Sequence, residues 1–200
     1  MPELADAISE TYVLPEDMRI VVSECGEPRS YYEPNDRELV YCHEFGAQLW
    51  ATIQRANLGA SGSELDQIFT DTWTWVLAHE LGHAFIYIFP LSVGEDIEAA
   101  STKYATVFAA DLGAGRSVIA FARHWYAVDS WVSERTYIDE HAINARRVND
   151  ALCLLYGSNP DEFAELPSEF PGFRTAFRDC EAEWRAEKQR WDDLFGPHIR

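Results

Sequence analysis

The sequence predicts an α+β fold, mostly helical, with a β-hairpin or small sheet near the N-terminus. Three observations carry this. Strand-forming residues flank the turn-rich Glu33-Pro34-Asn35-Asp36, apolar residues recur at helical spacing through most of the later chain, and no segment repeats. With 200 residues, 47% of them hydrophobic, the chain can bury a real core, so residues 1–200 are expected to form a single domain, with 1–18 as a flexible N-terminal segment. Seven Trp, nine Tyr and eleven Phe predict a core rich in rings.

Taken in order, Arg19-Ile20-Val21-Val22 and Leu39-Val40-Tyr41 read as the two strands of a hairpin about that turn. Cys25 and Cys42 lie almost symmetrically about it, within disulfide reach, and Cys153 would then pair with Cys180 by elimination. Two disulfides argue for an exported, periplasmic or extracellular, protein; four buried thiols in a reducing cytoplasm are the alternative. Met1 to Glu10 is polar and acidic and does not read as a signal peptide.

Phe45, Leu49 and Ile53, followed by Gly59, predict a short amphipathic helix. Ser63 and Asp66 resemble a capping box for a long helix reaching about Phe89. After a bend over Pro90 to Gly94, Glu95 and Asp96 suit the positive end of a helix running through Tyr104 and Phe108 to Gly113. Further helices are expected at about 116–133, 140–156 and 178–194, broken by Gly157-Ser158-Asn159-Pro160 and by the 167–172 stretch. The last alternates acids, bases and Trp and reads as a solvated cover with its rings turned inward.

The formal charge of −18, from 34 acidic against 16 basic residues, would repel polyphosphate, so nucleic acid is excluded as a partner. No apolar run is long enough for a membrane span.

Chemistry concentrates in His79-Glu80-Leu81-Gly82-His83. Residues four apart share a helix face, so both imidazoles can address one metal ion while Glu80 flanks it as a general base. A catalytic zinc needs a third protein ligand and an open position for water. Glu95, Asp96 and Glu98 are the nearest candidates, and Glu98 is chosen because Ala99, Ala100, Tyr104 and Ala105 around it imply burial, whereas the other two fit solvated caps. Gly82 would let another backbone approach closely. Trp73, Trp75, Trp125 and Trp131 are assigned to packing.

The metal motif, together with Glu24-Cys25-Gly26-Glu27, Tyr41-Cys42, Asp139-Glu140-His141 and Cys153-Leu154-Leu155-Tyr156-Gly157-Ser158, resembles a bacterial domain-of-unknown-function family labelled as metallopeptidases, over about residues 20–198. The resemblance implies a zincin-like fold of gluzincin type, in which a carboxylate on the next helix completes a zinc site, which carries onto Glu98. It also implies a peptide or protein substrate. Where the family pattern has Asp, this chain has Thr102, a weaker partner for orienting a ligand imidazole. His141, in a shared block, is the candidate donor to the oxyanion, ahead of Tyr126 and His124. The alternative is a catalytically retired zinc-binding fold that docks a protein partner; the retained Glu80 argues against it.

Overall fold

A computed structural model describes residues 2–94, 96–129, 145–170, 173 and 178–200. Helix α1 (Pro2–Thr11) leads into strands β1 (Arg19–Ser23), β2 (Ser30–Glu33) and β3 (Glu38–Cys42). Helices α2 (His43–Ala56), α3 (Gly62–Ile88), α4 (Ile97–Asp111), α5 (Gly115–Asp129), α6 (Ala145–Ser158), α7 (Leu166–Glu169) and α8 (Cys180–Phe195) follow, and a 3-10 turn spans Gly196–His198. The architecture is α+β, helical apart from the small sheet.

The sheet departs from the expected pairing. The turn over 34–37 joins β2, not the 19–22 strand, to β3, with Glu33 opposite Glu38 and Arg37 at φ 54° in the left-handed region. β1 instead lies parallel to β3 on its other side, giving the order β1-β3-β2. The reason is local: Gly26, at φ +77°, turns the chain away from β1 before the hairpin can begin, and Ser30 and Tyr32 alternate inward on the strand that the turn reaches first. Because β1 and β3 are parallel with Ser23 opposite Cys42, Cys25 ends beside Cys42, and they form a disulfide with Cα atoms 5.5 Å apart. Cys153 and Cys180 form the second disulfide, tying α6 to α8.

Helix α3 crosses the middle of the molecule. Its N-cap is Ser61 rather than Ser63: the Ser61 hydroxyl accepts from the Glu64 N–H, and the Glu64 carboxylate accepts from the Ser61 N–H at 2.7 Å. Every residue from Ala78 to Ile86 is buried, so this stretch of the helix is covered all round. One cluster joins Trp75 and Ala78 to Phe121, Val148 and Leu152. Another joins Leu81, Ala84 and Phe85 to Tyr41, Tyr104, Trp191 and Phe195.

Residues 2–11, inside the segment set apart in the sequence, form α1, whose Ile8 is buried. Just beyond α1, Tyr12 packs its ring 4.7 Å from Phe85 and 5.6 Å from Phe195. It also pairs with Ile199 in an isolated antiparallel bridge. Helix α8 covers this core with Trp191, 2% exposed, turned inward.

Candidate metal centre

The site begins with helical spacing. His79 and His83 project from one face of α3, with their Nε2 atoms 3.1 Å apart. The Trp75 ring, one turn earlier, stacks on His79 with centroids 5.1 Å apart and is itself sandwiched by Phe121 at 3.5 Å. Between the two histidines, Gly82 lets α4 come close: a Cβ there would meet Tyr104 Cδ1 at 2.9 Å and Ser101 Cα at 3.1 Å. That close approach delivers Glu98. Its Oε2 lies 3.3 Å from His79 Nε2 and its Oε1 lies 3.1 Å from His83 Nε2.

These three donors could hold a metal ion, since one ligand atom from each lies within 4.8 Å of the others. Zinc bound tetrahedrally at about 2.0–2.2 Å sets its donors roughly 3.3–3.6 Å apart, so the spacing fits with little movement. The chemistry fits as well, because two imidazoles and one carboxylate leave a fourth position for water. His79, Glu80 and His83 are 4%, 4% and 7% exposed, so a charge developing here would be poorly screened by solvent.

A family model, DUF4344, described as "Putative metallopeptidase", matches residues 1–195. The chain belongs to this family. No curated protein and no solved structure matches it.

Other side chains surround the three donors. Asp96 caps α4 by accepting from the Glu98 N–H at 3.1 Å, the capping role expected of it. Arg147, on α6, donates to Glu98 Oε2 and to Asp96 Oδ2, both at 3.3 Å. From the sheet side Tyr41 is fully buried on β3. Burial, and next the Glu80 carboxylate, push its hydroxyl well above the usual phenol range, and that hydroxyl has no hydrogen-bond partner among the described residues. Thr102 is 1% exposed and its hydroxyl likewise makes no hydrogen bond among the described residues, so it does not orient a ligand imidazole.

Arg147 and Tyr41 are the neighbours that the sequence does not single out as functional. Tyr41 carried a signal in its shared Tyr-Cys block; Arg147 carried none.

His141 and Glu95 lie outside the described residues. Tyr126 rests on Phe170. His124 lines a separate cavity of about 410 Å³ between α2, α3 and α5, where burial pulls its pKa down from 6.5 to about 4. Cys25, Cys42 and Glu44 also cluster, but both sulfurs are in the disulfide. Glu44 instead accepts from the Cys25 and Gly26 N–H groups at 3.1 and 2.7 Å, clamping the loop beside it.

Proposed function

We propose that the chain is a zinc-dependent peptidase, with His79, His83 and Glu98 as metal ligands and Glu80 as general base. The observation that supports this best is the convergence of the two imidazoles and the Glu98 carboxylate within 3.3 Å of one another, beside a buried Glu80 on the same helix. A zinc ion held by this set would polarise the scissile carbonyl and lower the pKa of water in the open position to near 7. Glu80 takes the proton from the attacking water and passes it to the leaving amine, so the base is restored at the end of each turnover. His141 remains the proposed donor to the oxyanion. The substrate is a peptide or protein, and the two disulfides favour an oxidising, exported location.

The test is metal content by mass spectrometry on the purified chain and on His83→Ala, followed by digestion of a broad peptide library. About one zinc per chain, lost in the variant, with cleavage of the library, is the expected result. No zinc after zinc is supplied would overturn the reading, and zinc without cleavage would leave the protein-docking alternative.

A further inference from the structure

We infer that Arg147 is a positioning residue of the metal centre, holding the Glu98 carboxylate toward His79 and His83; the inference rests on the metal reading above. The geometry is a closed loop. Asp96 Oδ1 accepts from the Glu98 backbone N–H at 3.1 Å, which fixes where the side chain leaves the helix. The Arg147 guanidinium then joins Asp96 Oδ2 to Glu98 Oε2 at 3.3 Å each, which fixes where the carboxylate ends. Arg147 and Glu98 are each 12% exposed at the side chain, so the contact is sheltered from solvent. A planar fork can bridge two carboxylates in this way, and a lysine ammonium cannot match both with fixed direction.

The Thr102 hydroxyl makes no hydrogen bond among the described residues. The His79 ring is steadied by stacking on Trp75. On the carboxylate side, orientation comes through a cation from α6. The same cation also acts through its charge. A dipositive ion with Glu80 and Glu98 sums to zero, and Arg147 is offset by Asp96 on its other side, so the cation acts on the site by drawing charge from Glu98 Oε2. Orientation strengthens metal binding, while charge withdrawal from the ligand oxygen weakens it, so the two effects predict opposite results when Arg147 is neutralised.

The experiment measures zinc affinity by competition with a chromophoric chelator, and the visible spectrum of the cobalt-substituted protein, for wild type, Arg147→Gln and Arg147→Lys. Circular dichroism of the metal-free forms checks folding. The expected result is one zinc at saturation in all three and a dissociation constant raised about 10- to 100-fold in Arg147→Gln. A shifted cobalt band in Arg147→Gln should be partly restored in Arg147→Lys, which keeps bulk and charge should the glutamine variant misfold. Affinities and spectra unchanged in both variants, with a wild type that binds zinc, would overturn the role of Arg147 alone. Tighter binding in Arg147→Gln would overturn orientation in favour of charge withdrawal. A wild type that binds no zinc would overturn the metal reading itself, and this role with it.

Discussion

Glu80 and its neighbours on α3 should respond to substitution in different ways. Glu80→Gln is expected to retain about one zinc while hydrolysis falls by roughly 10²–10⁴-fold, because only the proton acceptor is lost. His79→Ala should lose both metal and activity. Metal analysis and turnover on the same preparations check the division. His124 supplies a pH dependence. Above pH 6.5 it is neutral in both the folded and the unfolded chain; as pH falls toward about 4 the unfolded chain gains a proton that the buried site resists. Stability is therefore lost through that window, by as much as about 3 kcal/mol. In urea unfolding at pH 7 and pH 4.5, His124→Gln should narrow the difference seen in the wild type.

The residues legible in the sequence were those that local geometry relates. His79 and His83 announce themselves by a four-residue spacing, and Glu98 by its place in the first turn after a bend. Arg147 reaches Glu98 across 49 residues, and Tyr41 comes under the charge of Glu80 only through the docking of β3 on α3, so neither relation leaves a local pattern.

Among elements, the long helix was legible and its exact start was not. Ser61 with Glu64, and Ser63 with Asp66, both satisfy the capping pattern, and the longer glutamate reaches back to the cap N–H. Ser61→Ala is expected to cost about 1 kcal/mol, read as a lowered thermal midpoint. The hairpin was assigned its first strand wrongly for a related reason: residues 19–22 have the right composition, but the strand nearest the turn wins the antiparallel partner. Gly157, read in the sequence as a helix breaker, is instead a contact point. A Cβ there would fall 1.9 Å from the Cys180 carbonyl oxygen, so Gly157→Ala should separate α6 from α8 and destabilise by about 1–3 kcal/mol or more, measured by denaturant unfolding.

At the scale of the whole molecule, the disulfides close loops with sequence separations of 17 and 27 residues. The chain-entropy model assigns each about 3 kcal/mol, so full reduction should lower the unfolding midpoint sharply, with Cys153–Cys180 contributing slightly more. Comparing single Cys→Ala pairs by thermal unfolding checks the order. The pairing was legible because only one arrangement followed once the first was placed.

The bridge between Tyr12 and Ile199 also governs time. Its flanking bonds, Val13 N–H to the His198 carbonyl at 2.7 Å and Arg200 N–H to the Thr11 carbonyl at 3.0 Å, join residues nearly the length of the chain apart. The Tyr12 ring lies against Phe85 and Phe195, so the core around α3 closes only when α8 has been made. Contacts of such long sequence separation slow the search for the native state. A nascent chain would wait, open and aggregation-prone, until α8 and the residues just after it have been made. If the chain is exported, as proposed above, the same delay would keep it threadable until Cys25–Cys42 and Cys153–Cys180 can form.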